Sequence, residues 1–438
     1  MGLWNLIGKK NTQGTSKSID ISNGVFVDGS HRYEFQNCLI AGTKSTGRDA
    51  LLRHLSIDSL NNDRAIFVIQ NGTSLPNNTI RKEFISNCGS RQFFSIDFGQ
   101  YGFTQPINLF KGSNPDFVQE LLLLLMASYK EISSDTRSFV ERYLSEVMSL
   151  YRIAPNGKKF SLSTICDFDE QWLVDESNRV FSNGLIDAKR RDRYLKYASN
   201  LVLYKKEYNE YENFCLEIQK QNFAKLLSGA ISYSHLNTNQ YITFINLDYI
   251  SCAKQSSAFL GLFIHKAIQE MQINKNVKTT FIFEDVDLNT VPEFKELLKA
   301  CQTTNGRNNV YFTLDAITNC TNLGYDPRAY SNAYFVFRQP IMGEAEEWAK
   351  TSGTYKKDKE TQTTAPYKQV YGNQNQGFFG EMYTLFNGNK QVVTNVNHEI
   401  IDEYNILPVE FMNLPEGASK VIIKTPSGSP YFMEVKWA

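Results

Sequence analysis

No stretch of this chain is long and apolar enough to cross a bilayer as a helix. The best candidate, Phe117 to Met126, is too short and carries Glu120, so it reads as a core helix. No secretory signal opens the sequence either: Met1 to Lys10 has a basic end but no extended apolar region or cleavage site. Gly2 makes no myristoylation motif, because position 6 is Leu where Ser or Thr is needed. The 7 cysteines (38, 88, 166, 215, 252, 301 and 320) show no paired spacing. They read as buried thiols in a reducing compartment, not as a disulfide framework. The 5 histidines are equally dispersed, which argues against a metal site built from His and Cys. Net charge is absent too, with Lys+Arg 46 against Asp+Glu 46. No global field draws nucleic acid, so any basic surface must be local. The expected location is cytoplasmic.

What is present is an ordinary globular composition, 42% hydrophobic and 21% charged over 438 residues. That length suits two or three domains and a large core. The organising stretch is Gly42-Thr43-Lys44-Ser45-Thr46-Gly47-Arg48-Asp49. It follows the apolar run Cys38 to Ala41 and opens a helical pattern, Asp49 to Leu55. Strand, then glycine-x4-glycine-basic-polar, then helix is the layout of a phosphate-binding loop. Its glycines let consecutive N–H groups face an anion, and the helix adds the positive end of its dipole. Two residues depart from that chemistry. Arg48 stands where a lysine reaches the outer phosphates, and Asp49 where a hydroxyl ligates magnesium. Two unit charges at 4 Å repel by roughly 4 kcal/mol at an effective dielectric near 20. An ionised Asp49 therefore weakens triphosphate binding unless a metal or Arg48 compensates. A bidentate Arg48–Asp49 pair would close the loop on itself. Lys44 is either a substitute phosphate ligand or a solvated loop lysine.

In chain order, residues 1–33 read as an N-terminal arm with an edge strand near Gly24–Val27. Strand signals follow at Arg64–Gly72, Gln92–Phe98 and Ile107–Phe110, alternating with helices, which argues for a parallel α/β sheet. From 114 to 235 apolar residues recur at helical spacing (Phe117, Leu121, Leu124, Leu125; Phe139, Tyr143, Leu144, Val147), predicting an inserted all-α domain. Within it Lys189, Arg190, Arg191, Arg193 and Lys196 form a basic run. This is either a solvated helix face or a phosphate-contacting patch with Tyr194 and Tyr197 available to stack on bases. After Tyr241 the α/β texture returns, with a strand at Tyr241–Asp248 and a helix from Ser256 to Gln272. A buried run, Thr279 to Phe283, ends in Glu284 and Asp285. Acids at such a strand end hold a magnesium shell and polarise water in phosphoryl transfer. The usual order, Asp then Glu, is reversed here, changing each carboxylate's reach by a methylene.

Further stretches, in order, resemble the TraG/TraD type IV coupling proteins, the ring-forming DNA-transfer ATPases of conjugation and type IV secretion. Arg64–Gly72 sits where that family has an aspartate-x-lysine-glycine strand end. Pro106–Phe110 is similar to its asparagine-proline-leucine turn, and Asn305–Phe312 to the strand after its glycine-arginine turn. Ser331–Arg338 with Glu344–Ala349 and Ser352–Tyr355 resembles its strand, helix and glycine exit, which runs into a polar Lys/Thr stretch. Leu407–Gly417 with Val421–Lys424 resembles its closing turn and strand. The resemblance covers about residues 34–438. It implies a RecA-like P-loop NTPase domain over 34–113 and 236–438. The family's phosphate-sensing glutamine is missing, since Leu314-Asp315-Ala316-Ile317 stands there.

The resemblance implies a homo- or hetero-oligomeric ring, hexameric in the family, with DNA, an active ATPase paralogue or secretion-system components as partners. It also implies peripheral placement at the inner membrane through those partners. The altered residues lead to an expectation of a degenerate ATPase that takes ATP and magnesium weakly or not at all. A working DNA motor is the alternative, with Arg48 gripping phosphate, Asp49 and Glu284 on the metal, and a neighbour's Arg307 or Arg338 at the γ-phosphate. A protein adaptor with no DNA binding is the third.

Overall fold

The structure is a computed structural model. It describes residues 17–20, 25–28, 31–43, 46–58, 63–72, 79–98, 105–111, 122–123, 125–126, 133–153, 162–220, 222–288, 291–304, 306–317, 324–366, 391–424 and 430–437. The chain falls into two compact units, residues 1–338 with 414–438, and residues 339–413.

The first unit opens with β1 (Lys17–Asp20), β2 (Val25–Asp28) and β3 (His31–Glu34), a three-stranded antiparallel sheet. The sequence pattern predicts only one edge strand there. Short strands with mixed polarity carry little periodic signal. Then come β4 (Asn37–Ala41), α1 (Arg48–Asp58), β5 (Ala65–Asn71), α2 (Thr79–Ser86), β6 (Gln92–Asp97) and β7 (Ile107–Asn108). The helical region contains α3 (Ser134–Ile153), a 3₁₀ turn at Leu162–Asp167, α4 (Glu170–Ser182), α5 (Ala188–Ser199), α6 (Lys205–Lys220) and α7 (Asn222–Leu226). β8 (Ile231–Ser232) and α8 (Tyr233–Leu236) lead back to β9 (Tyr241–Leu247). They are followed by α9 (Ala253–Ile273), β10 (Thr279–Glu284), α10 (Glu293–Gln302), β11 (Asn308–Leu314) and β12 (Ala333–Val336).

The second unit, taken by itself, holds α11 (Met342–Ser352), a long antiparallel hairpin of β13 (Thr354–Pro366) and β14 (Gln391–Tyr404), and α12 (Pro408–Met412). Ser352 and Asn405 knit it together. The Asn405 side chain donates to the Ser352 carbonyl at 2.8 Å, and Ile406 N–H donates to the Ser352 hydroxyl at 3.1 Å. β15 (Ala418–Ile423) and β16 (Tyr431–Lys436) then return to the first unit.

The central sheet has nine strands in the order β16-β15-β12-β4-β11-β10-β5-β9-β6. β12, β4, β11, β10, β5, β9 and β6 run parallel, and β15 and β16 add an antiparallel edge. Strand β11 lies between the loop-bearing β4 and the acid-ending β10. Both faces are covered, which is why these strands read as nearly continuous apolar runs. On one face Leu51, Leu52 and Leu55 of α1 and Phe84 of α2 pack on Ile66, Val68, Ile242, Phe244 and Ile282. On the other, Phe67 stacks with Tyr233 (5.2 Å) and Phe281 (5.6 Å), with Phe263 of α9 edge-on. Among the described residues no helix is long and apolar enough to cross a membrane.

Phe67 is fully buried at the centre of that aromatic layer. Phe67→Ala is expected to lower stability by about 3–5 kcal/mol, the usual cost of emptying such a site. Urea unfolding checks this, with an unchanged slope expected.

Candidate functional site

Gly42, Thr43, Thr46 and Gly47 form the described part of a bend between β4 and α1, at the carboxyl ends of the parallel strands. Gly42 has φ +136° and Gly47 φ +90°, conformations that a side chain strains. Space requires glycine as well. A Cβ on Gly42 would stand 2.8 Å from Phe337 Cβ, and one on Gly47 2.4 Å from the Gly417 nitrogen. Gly417 N–H donates to the Thr46 carbonyl at 3.3 Å, so the turn before β15 is laid against the bend. Within the bend, Thr46 N–H donates to the Thr43 carbonyl at 3.0 Å and the Thr46 hydroxyl to the same oxygen at 2.6 Å. Lys44 and Ser45 lie outside the described residues.

Arg48 is fully buried and its guanidinium reaches three acceptors. One terminal nitrogen donates to the Gly42 carbonyl at 3.0 Å and to Asp315 Oδ1 at 2.9 Å. The other is hydrogen-bonded to Asp285 Oδ1. Nε is buried without a partner. The expected Arg48–Asp49 pair is therefore not formed. Asp49 is exposed in the first turn of α1, where its charge suits the helix dipole, whereas Arg48 turns inward to carboxylates at two strand ends. Asp285 follows β10 and has φ +52°, outside glycine the rare left-handed conformation. Its N–H is held by the Thr313 hydroxyl at 2.9 Å. Asp315 follows β11, so the residue standing where the family's glutamine is missing closes the ring of contacts around Arg48.

Glu284 is 3% exposed and begins a buried polar row. Strand register aligns Glu284 with Gln70, Gln70 with Asn246, and Asn246 with Asp97. Gln70 donates to Asn246 Oδ1 at 3.1 Å, and Asn246 donates to Asp97 Oδ1 at 2.9 Å and to the Gly72 carbonyl at 3.1 Å. Asp315, Gln70, Asn246 and Asp97 were not singled out as site residues from sequence. The available signal was a polar residue ending each apolar strand.

The remaining candidates lie apart from this cluster. Arg338 is exposed just beyond β12, at the carboxyl-terminal rim of the sheet where Gly42 leaves β4. Arg307 precedes β11, at the opposite end of the strands, and its guanidinium donates to the Thr304 carbonyl at 3.1 Å and to that of Lys275. On α5, Lys189, Arg190 and Lys196 are exposed. Arg191 lies 4.4 Å over the Phe181 ring and pairs with Asp192 at 2.8 Å, while Arg193 pairs with Glu146. Tyr194 is 1% exposed, with its hydroxyl 3.0 Å from Ser149 Oγ, so it presents no ring for a base to stack on. Tyr197 is half-buried, and burial pushes its phenol up to about 12. The sequence reading of a stacking Tyr194 is thus corrected by packing.

No family model matches the sequence, and no curated protein matches it. Solved structures do share its fold. The bacterial conjugative coupling protein TrwBdeltaN70, in an unbound form, aligns with TM-score 0.54 at 12% identity, covering 92% of this chain and 84% of that one. TrwB in complex with ADP and Mg2+ aligns with TM-score 0.50 at 14% identity, covering 92% and 85%. VirB4 of Thermoanaerobacter pseudethanolicus aligns with TM-score 0.55 at 11% identity, covering 100% and 96%.

Removing Arg48 takes a buried cation away from Asp285, Asp315 and the Gly42 carbonyl. Arg48→Met is expected to cost about 3 kcal/mol, as for breaking a buried pair. Asp315→Asn, at a 60% exposed carboxylate, is expected to cost under about 1 kcal/mol. Urea titration of both variants checks the contrast. This chain therefore has the RecA-like α/β fold that the coupling protein TrwB and VirB4 share.

Proposed function

We propose that this chain is a degenerate coupling-protein-like component of a conjugative or type IV secretion assembly, binding DNA or partner proteins while taking nucleotide weakly or not at all. The observation that carries this reading is the buried Arg48 guanidinium tied to Gly42, Asp285 and Asp315. The cation that should meet a phosphate is already neutralised by two carboxylates. At the next position Asp49 offers a charge where magnesium chemistry uses a hydroxyl, and the Thr46 amide is engaged inside the bend. As a cradle for a magnesium nucleotide these residues do not fit, so no phosphoryl-transfer step is derived through them. The scaffold, by contrast, retains the bend, its two glycines and the parallel sheet around it. Such a subunit serves as a structural element, in a homo-oligomeric ring or beside an active paralogue.

A working motor is the second reading, favoured by one observation: Glu284 ends a buried central strand and Asp285 follows it, at the same carboxyl-terminal rim of the sheet as the bend. Calorimetry with ADP and with a non-hydrolysable ATP analogue, each with magnesium, separates the two. The expected result is no binding at ligand concentrations up to about 1 mM, equivalent to less than about 4 kcal/mol. The triple variant Arg48→Lys, Asp49→Thr, Asp315→Gln is expected to gain binding. Micromolar affinity in the unaltered chain, with ATP turnover abolished by Gly47→Val, would overturn the proposal.

A further inference from the structure

In the helical region α5 and α6 are joined by a short 3₁₀ turn, Asn200-Leu201-Val202-Leu203-Tyr204. Its side chains divide sharply. Leu201 is buried and seats the turn. Tyr204 leans on α3, its ring 5.5 Å from that of Phe139 and covered by the Arg142 guanidinium at 5.5 Å. Val202 and Leu203 face solvent, 72% and 77% exposed. A lone exposed apolar side chain is ordinary; an adjacent pair on a seated turn, set among cations, calls for a partner.

The surrounding charge is of one sign. Over residues 189–206 seven cations (189, 190, 191, 193, 196, 205 and 206) stand against the single acid Asp192, a net +6 in a chain whose net charge is zero. Lys189, Arg193 and Lys196 recur at helical spacing on α5, away from the buried Tyr194 and Ala198. Lys205 and Lys206 are exposed in the first turn of α6, directly after the apolar pair. The helix dipole disfavours cations there, so helix stability does not account for them. Of the acids close by in the chain, Asp192 is paired with Arg191, Glu146 with Arg193, and Glu207 is half-buried.

We propose that the Asn200–Tyr204 turn docks on an anionic bilayer. Val202 and Leu203 enter the boundary between headgroups and acyl chains, while Lys196, Lys205 and Lys206 meet lipid phosphates. A second copy of the chain would set the same cations against themselves, which like-charge repulsion opposes. Duplex DNA would satisfy the cations but leave Val202 and Leu203 in water. Nor is a ring presented for bases, since Tyr194 is buried and Tyr204 already carries Phe139 and Arg142. A bilayer interface supplies both halves in the right order, a layer of phosphates with an apolar layer immediately beneath. Tyr204, 39% exposed, is of the residue type that settles at headgroup level. Two apolar side chains and a few cations make such docking reversible and salt-sensitive. It makes no use of the bend before α1, so its test is separate from that of nucleotide binding.

Co-sedimentation of the full chain with vesicles tests this, comparing phosphatidylcholine alone with phosphatidylcholine plus phosphatidylglycerol at low and physiological salt. Binding is expected to the anionic vesicles only, weakening as salt rises. Val202→Ser with Leu203→Ser leaves every charge in place and is expected to lower the partition coefficient about tenfold. Lys205→Gln with Lys206→Gln is expected to lower it about tenfold as well and to flatten the salt dependence. The thermal melt of each variant is expected to match that of the unaltered chain; should one fail to fold, the contrast between vesicle types with the unaltered chain still decides. Absence of binding to anionic vesicles would overturn the proposal. So would full retention by the Val202 and Leu203 double variant, or capture of duplex DNA through Lys205 and Lys206 with the vesicles left free.

Discussion

A guanidinium with no exposed surface has to find its acceptors inside the protein, and where it finds them fixes everything around it. Arg48 joins three separate pieces of backbone: the first glycine of the bend, the end of β10 and the end of β11. Each carboxylate alone would be a modest surface interaction. Sharing one buried cation makes them a clamp, because losing the guanidinium removes a charge-assisted hydrogen bond from all three pieces at once. The left-handed backbone of Asp285 belongs to the same arrangement. It turns the acid back toward α1 and is held there by the Thr313 hydroxyl.

Outward from the clamp, the sheet has an apolar interior and a polar terminus. Phe67, Phe281, Ile66 and Val68 fill the layers against the helices. At the carboxyl ends of the strands Glu284, Gln70, Asn246 and Asp97 stand in register, and Gln70, Asn246 and Asp97 bond sideways. Buried polar groups of this kind specify one register, since a slip by one residue would place amides among phenylalanines. The row therefore ties the position of Glu284 to strands well away from the bend.

Much of this was legible in the sequence because it is local. The Gly42–Asp49 spacing, the apolar strand runs and the helical periodicity around Phe139 and Tyr143 all announce themselves within a few residues. The partner of Arg48 did not. Asp315 lies 267 positions away, and proximity in sequence pointed to Asp49 instead. Tyr194 looked available for stacking because its neighbours are basic, yet packing buries its ring and leaves the charges outside. The β13–β14 hairpin was read only as a polar Lys/Thr stretch, with no apolar alternation to reveal it. Its pairing shows instead in cross-strand charges, Lys356 opposite Asp402 and Lys357 paired with Glu403 at 2.8 Å, which help an exposed ribbon to hold its register.

The close approach of Gly47 and Gly417 has a consequence for assembly of the chain itself. The backbone that braces the bend follows it only after most of the sheet has been made, with Trp437 N–H then capping the Gly417 carbonyl at 2.7 Å. Contacts of such long sequence separation form late and slowly, because loop closure must precede their reward. A nascent chain would thus hold β4 and α1 before the shape of their junction is settled. The β15–β16 hairpin, made long after them, sets it.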